Sequence, residues 1–221
     1  MKLCLIRNEI SDLNAEMLLG EYTLEELKRA TDILIIDDDP FTYLEVLKAN
    51  DFRIRQKSDI DSIGDVEKYD IILCDVKGVG KFLSSKFEGA YLVQQIKETY
   101  PNKIVVIYTG NRYDASYQKY IQYADYTMEK GTPQEDWTEL LTDILRKNAD
   151  PVQQWKETRY RLLKAGVSII DVAKYEDKYV SAVKNRKYQS LESLCSDSKE
   201  LGRSILIELL SSTIAKLIKG R

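Results

Sequence analysis

The chain has 221 residues, of which 43% are hydrophobic and 31% are charged, and its net charge is only −3. This balance is typical of a folded globular protein and excludes both a disordered chain and a strongly basic nucleic-acid-binding chain. The sequence contains no histidine, which excludes histidine bases and histidine metal ligands. Its three cysteines lie far apart, so we expect neither a disulfide framework nor a zinc cluster, and a cytoplasmic location.

The hydrophobic pattern predicts alternating strands and helices. No run approaches the roughly 18 apolar residues of a membrane span, and the first residues lack the apolar core of a signal peptide. Strands are predicted over residues 33–36, 52–57, 71–74, 104–107 and 126–129, and helices over 40–50, 88–100, 113–124 and from 132 to about 148. Strand–helix alternation with continuous apolar strands predicts an α/β fold, a five-stranded doubly wound parallel sheet.

Residues able to carry chemistry follow the predicted strands. Asp37 and Asp38 follow the first strand, Asp75 the third, Thr109 the fourth and Lys130 the fifth. Because parallel strands bring their carboxyl ends to one edge, we expect these side chains to share a crevice. Clustered carboxylates repel one another and favour a hard divalent cation such as Mg²⁺. A carboxylate can also attack phosphorus, and a hydroxyl and an ammonium can stabilise the developing charge.

The run Ile33-Leu34-Ile35-Ile36-Asp37-Asp38-Asp39-Pro40, followed by Asp75, Thr109-Gly110 and Lys130, resembles the receiver domain of bacterial two-component response regulators. The resemblance covers residues 32–148. It implies that Asp75 is the phosphoacceptor and that Mg²⁺ is held by Asp37, Asp38, Asp75 and the backbone carbonyl of Lys77. It also implies that Thr109 is the switch hydroxyl and that Lys130 pairs with the phosphoryl group.

Two of the departures from this family bear on function. The loop after Asp75 is several residues longer than usual and carries Lys77, Lys81 and Lys86, which we expect to alter kinase choice or the lifetime of the phosphoryl group. Thr127 stands where the family usually has an aromatic residue. A partner face is predicted at Thr127 and at three tyrosines spaced along one face of a helix; the alternative is that the tyrosines pack on the sheet. The tyrosines are Tyr113, Tyr117 and Tyr120.

The flanking regions carry no recognisable chemistry. We predict an N-terminal helical extension over residues 1–31 and a helical C-terminal region of unknown output over 149–221. Near the C-terminus, Ile207, Leu210, Ile214 and Leu217 form a narrow apolar seam. This seam is explained by core packing, by a homodimer or by a membrane-surface helix. The region is net basic but has no convincing helix-turn-helix pattern, so DNA binding is not expected.

The resemblance implies a signalling protein rather than an enzyme, with self-catalysed phosphoryl transfer and dephosphorylation at most. Its partners would be a histidine kinase or phosphotransfer protein and an unknown downstream protein, or it would act as a phosphate sink. A different reading is a phosphatase similar to haloacid dehalogenases, in which Asp37 is the nucleophile of an Asp37-x-Asp39 pattern; its usual Thr or Val is replaced by Phe41. The sequence is also compatible with a receiver-like module that is never phosphorylated and with a DNA-binding regulator.

Overall fold

The computed structural model describes residues 8–14, 20, 22–83, 86–110, 117–196, 198 and 200–220. The chain forms two compact units. The sheet unit is Thr31–Leu145, and the helical unit consists of the described parts of Met1–Ala30 and Arg146–Arg221. The residues before Thr31 therefore group with the C-terminal residues, and the chain enters the helical unit twice.

Five parallel strands form the sheet, and their order is β2-β1-β3-β4-β5. The strands are β1 (Asp32–Ile36), β2 (Arg53–Lys57), β3 (Ile71–Asp75), β4 (Ile104–Thr109) and β5 (Tyr126–Glu129). This order is that of the flavodoxin-like doubly wound sheet, so the predicted α/β fold is confirmed. The three central strands are runs of consecutive apolar residues because helices cover the sheet on both faces.

The helices of the described residues are, in chain order, α1 (Leu24–Ala30), α2 (Leu44–Ala49), α3 (Glu88–Thr99), α4 (Gln118–Ile121), α5 (Gln134–Asn148), α6 (Pro151–Lys164), α7 (Ile169–Asn185), α8 (Tyr188–Ser196), α9 (Glu200–Leu210) and α10 (Thr213–Lys219). Short 3-10 turns lie at Ile10–Asp12, Ile63–Val66 and Lys81–Leu83. None of these helices combines the length and the apolar character that crossing a membrane requires.

The helical unit is held together by capping, aromatic stacking and hydrogen bonds to its first residues. Asp150 caps α6 by accepting from the first-turn amides, with Pro151 directly after it. Trp155 of α6 stacks on Tyr179 of α7, with ring centroids 5.0 Å apart. Asn8 donates from its backbone and its side chain to one oxygen of Asp177, at 2.9 and 2.8 Å.

The predicted C-terminal seam does not run along one helix, because α9 ends at Leu210 and α10 begins at Thr213. Ile214 and Leu217 are buried, whereas Ile207 is exposed. The half of the seam that lies in α10 is therefore part of a packed core.

Candidate functional site

The strand register brings Asp37 and Asp75 to the same edge of the sheet. Ile36 of β1 pairs with Cys74 of β3, so Asp37 follows its strand beside Asp75. Both carboxylates are nearly buried, at 3% and 5% exposure. The strands end here because the apolar runs end here, and each acid is the first polar residue after its run.

The next two strands bring a hydroxyl and an ammonium to this edge. Thr109 ends β4 and is buried, and it pairs with Glu129 at the end of β5. Lys130 follows Glu129, and its backbone N–H donates to the Thr109 carbonyl at 3.2 Å. The parallel register thus places Lys130 next to Thr109, at the same edge of the sheet as the two acids.

Lys130 joins the two buried carboxylates. Its Nζ lies 2.7 Å from Asp75 Oδ2 and 3.3 Å from Asp37 Oδ2. The second oxygen of Asp75, Oδ1, accepts from the Val76 backbone N–H at 2.7 Å. The carboxylate of Asp75 is therefore fixed by one charged and one backbone donor.

The electrostatics of this edge are unbalanced toward negative charge. Burial raises the pKa of Asp75 above its ordinary value, and the charge of Asp37 adds to this, while Lys130 opposes it. Burial lowers the pKa of Lys130, but the carboxylates of Asp75 and Asp37 raise it more, so that it lies above its ordinary value. Two carboxylates facing one ammonium leave an edge that favours a further cation.

Asp37, Asp38 and Asp39 bring one carboxylate oxygen each within 4.8 Å of one another. Asp38 and Asp39 are exposed. Gln56 of β2 holds the turn that carries them, since its side-chain amide donates to the carbonyls of Asp37 and Asp39, at 3.0 and 2.6 Å. Carboxylate oxygens are the hard donors that Mg²⁺ prefers.

The long loop after Asp75 is anchored close to the acidic turn. Asp59 accepts from the backbone N–H groups of Gly80 and Lys81, at 2.7 and 3.1 Å. Lys81 Nζ lies 3.7 Å from Asp38 Oδ2. Gly78 has a φ of +79°, and a Cβ there would lie 2.2 Å from the same oxygen, so glycine is required for the backbone to pass Asp38.

Gly89 allows α3 to approach the end of β3. A Cβ at this position would lie 1.9 Å from the Asp75 carbonyl oxygen. The Gly89 N–H donates to the Val76 carbonyl at 3.1 Å. The Glu88-Gly89 pair therefore closes the loop directly behind the candidate phosphoacceptor.

Sequence reasoning missed Tyr108, whose hydroxyl donates to Asp37 Oδ2 at 2.7 Å. Burial and this hydrogen bond raise the pKa of Tyr108 far above its usual range, so the hydroxyl keeps the proton it donates. One signal could have identified it: a tyrosine directly after a buried apolar run needs a partner for its hydroxyl, and the nearest polar groups are at the strand ends.

The predicted partner face is only partly exposed. Tyr113 lies outside the described residues. Tyr117 is half-buried and Thr127 is exposed. Tyr120 packs between the rings of Phe87 and Tyr91, and at 7% exposure it belongs to the core of the sheet unit.

No protein-family model matches the sequence, and no curated protein matches it either. Among the solved structures, many that are similar to this chain are CheY-like response regulator receiver domains. A receiver domain protein from Methanospirillum hungatei JF-1 is 19% identical, covers 53% of this chain and 94% of its own, and has a TM-score of 0.43. The N-terminal receiver domain of RstA from Klebsiella pneumoniae is 20% identical, covers 52% and 99%, and has a TM-score of 0.44.

A response regulator protein from Burkholderia pseudomallei, whose structure has a phosphorylated aspartic acid, is 17% identical, covers 65% of this chain and 91% of its own, and has a TM-score of 0.41. The strand order and the parallel pairing define the fold of the sheet unit. Thr31–Leu145 has the fold of response regulator receiver domains.

Proposed function

We propose that the sheet unit is a phosphoacceptor receiver in which Asp75 takes a phosphoryl group from a histidine kinase or a phosphotransfer protein. The observation that carries this proposal is the geometry of Lys130, whose ammonium lies 2.7 Å from Asp75 and 3.3 Å from Asp37. A nearly buried carboxylate, held at the end of a central strand beside a lysine, is placed to act as a nucleophile. The phosphorylated chain then signals through contacts with a downstream protein, or it serves as a phosphate sink.

In the proposed transfer, a carboxylate oxygen of Asp75 forms a bond to phosphorus. The phosphorus–nitrogen bond of the donor breaks, and the donor imidazole leaves with the electron pair. Lys130 meets the negative charge on the phosphoryl oxygens, and the hydroxyl of Thr109 donates to one of them. The Val76 N–H keeps the Asp75 carboxylate oriented before the transfer.

The donor set at the sheet edge fits a magnesium ion. We propose that the ion is held by the carboxylates of Asp37, Asp38 and Asp75 and by the backbone carbonyl of Lys77. When bound, it supplies positive charge to the transferring phosphoryl group. This set is supported by the position of Gly78, the residue after Lys77, whose backbone passes directly against the Asp38 carboxylate.

The geometry favours this function over a phosphatase that uses Asp37 as its nucleophile. Both oxygens of Asp37 are engaged: Oδ2 by Tyr108 and Lys130, and Oδ1 by the backbone N–H of Asp39 at 2.9 Å. A nucleophile needs a free lone pair directed at the substrate. Asp75 accepts from two groups, Lys130 and the Val76 N–H, and so has fewer hydrogen bonds to break than Asp37.

Incubation of the full chain with Mg²⁺ and acetyl phosphate, followed by intact-mass measurement, tests the proposal. We expect one phosphoryl group on the wild type, none on Asp75→Asn, and a retained adduct on Asp177→Asn, the matched control from the helical unit. An unmodified wild type, or an undiminished adduct on Asp75→Asn, would refute the assignment. Hydrolysis of phosphate esters that Asp37→Asn abolishes and Asp75→Asn does not would instead establish the phosphatase.

A further inference from the structure

Tyr108 connects the acidic edge of the sheet to a cluster of aromatic rings. Its side chain is almost fully buried and its hydroxyl donates to Asp37. Its ring meets those of Phe41 and Trp137 edge to face, with centroids 5.5 and 5.6 Å away, and Phe41 and Trp137 are themselves 5.2 Å apart. Three rings in mutual contact leave the Tyr108 ring little freedom to turn.

The hydroxyl of Tyr108 acts on a carboxylate that needs its donors. Asp37 is 3% exposed, and a buried carboxylate is stable only when its oxygens are hydrogen-bonded or paired. Tyr108 and Lys130 both contact Oδ2. Lys130 also contacts Asp75, so its position depends on whatever Asp75 carries, whereas Tyr108 is held by its ring contacts.

We propose that Tyr108 is a positioning residue, which orients Asp37 for a divalent cation at the acidic edge by holding Oδ2 with its hydroxyl. This inference rests on the proposed function and adds a residue that does not itself touch the cation or the phosphoryl group. Partners of this kind, which orient a metal-binding side chain through a hydrogen bond, typically affect metal affinity by about 10- to 100-fold.

Tyr108→Phe removes the hydroxyl and keeps the ring. Titration of the full chain with Mg²⁺ by isothermal titration calorimetry is expected to show about tenfold weaker binding than the wild type. In phosphorylation by acetyl phosphate, the Mg²⁺ concentration at half-maximal rate is expected to rise by the same factor, while the rate at saturating Mg²⁺ stays close to that of the wild type.

Tyr179→Phe is the matched control. Tyr179 is also fully buried, and its hydroxyl donates to the Pro151 carbonyl at 2.9 Å, in the helical unit. The control loses a comparable buried hydrogen bond and is expected to keep the wild-type Mg²⁺ affinity. A partly unfolded variant lowers the fitted number of sites rather than the affinity, so the two effects separate in the same titration.

Wild-type Mg²⁺ affinity in Tyr108→Phe would overturn the positioning role and leave the proposed function standing. Equal weakening in Tyr108→Phe and Tyr179→Phe would also overturn it, since a general loss of stability would then explain both. A wild-type chain that binds no Mg²⁺ would overturn the metal site of the proposed function, and the positioning role with it.

Discussion

The sheet unit and the helical unit bury different kinds of polar side chains. The sheet unit buries two carboxylates, Asp37 and Asp75, at one edge of its sheet. Within the part of the chain that the structure describes, the helical unit buries only the neutral polar side chains Asn148, Thr158 and Thr213. A buried neutral side chain costs little once it is hydrogen-bonded. Two neighbouring buried carboxylates repel each other, which raises the energy of the folded state and favours a cation. The comparison therefore singles out the sheet unit as the one that carries the candidate site.

A buried charge alone does not define such a site. Lys103 is buried at the start of β4, and its ammonium donates to the backbone carbonyls of Glu67 and Tyr69. This lysine satisfies carbonyl groups at the opposite end of the strand from Thr109. What distinguishes the candidate site is like charges together at the carboxyl ends of the strands.

Glycine-to-alanine substitutions should give the largest contrast between the units. Gly89→Ala sets a methyl group against the Asp75 backbone, and we expect a loss of about 3 kcal/mol in the unfolding free energy of the sheet unit. At Gly202 in the helical unit, a Cβ would meet only the ends of side chains, Leu162 Cδ2 at 2.9 Å and Val167 Cγ2 at 3.2 Å, and no backbone atom. Since alanine favours the helix, Gly202→Ala should cost less than about 1 kcal/mol.

Urea unfolding of single-tryptophan variants measures these two values separately. Trp137 lies in the sheet unit and Trp155 in the helical unit, and the sequence has no other tryptophan. Equal losses for Gly89→Ala and Gly202→Ala would contradict the close approach of α3 to Asp75.

Threonine-to-valine substitutions should separate function from stability. Thr213 accepts from the Asn148 side chain at 2.7 Å, and Thr213→Val leaves that buried amide without this partner. We expect a loss of about 1–2 kcal/mol in the helical unit and an unchanged phosphorylation rate. Thr109→Val should instead slow phosphorylation by roughly tenfold or more. The check is to measure phosphorylation rates with acetyl phosphate and unfolding curves for both variants. Slower phosphorylation of Thr213→Val would contradict the separation of function from stability.

Asp75→Asn should stabilise the sheet unit at neutral pH by about 1 kcal/mol. Functional groups often lower the stability of the folded state, and a buried carboxylate is such a group. Burial raises the pKa of Asp75, so its charged form is disfavoured in the folded state. As the pH falls through this raised pKa toward the ordinary pKa of aspartate, the wild-type carboxyl binds a proton. The stability advantage of Asp75→Asn over the wild type then disappears.

Thermal unfolding of both proteins as a function of pH measures the difference. The matched control is Asp177→Asn in the helical unit, which weakens two hydrogen bonds from Asn8 and should lower stability. A gain that grows toward low pH would have the wrong sign for a raised Asp75 pKa.

Lys81→Met should have the smallest effect. Its ammonium lies 3.7 Å from Asp38 Oδ2, where it competes with a divalent cation for the carboxylate. Exposed ion pairs are weak, so we expect Mg²⁺ affinity to rise by about two- to fivefold at low salt. Lys86→Met removes the same charge from the same loop and should leave the affinity nearly unchanged. Equal increases for both variants would show a general charge effect rather than competition at Asp38.

The sequence predicted the sheet well because its strands are short apolar runs buried on both faces. Residues 33–36, 71–74 and 126–129 were placed within one residue of the observed strands. The meeting of Asp37, Asp75 and Lys130 followed from the same argument, since each directly follows a predicted strand. Their chemical roles stay predictions.

The contacts that complete the site were not predictable from local patterns. The hydrogen bond from Tyr108 to Asp37 depends on the direction of a ring set by Phe41 and Trp137. The anchoring of the long loop depends on Asp59, which lies in a different connection of the sheet. The pairing of Asn8 with α7 likewise leaves no periodic signal, because the partners share no element and no spacing.

The hydrogen bonds between Asn8 and Asp177 join residues 169 positions apart, and the entire sheet unit is encoded between them. During translation, the sheet unit therefore leaves the ribosome complete while the earliest part of the chain still lacks its partner helix. Since domains generally fold as units during synthesis, we expect the sheet unit to acquire its structure first. When the sheet unit folds, its first and last residues become part of one compact body. This shortens the effective loop that the helical unit must later close.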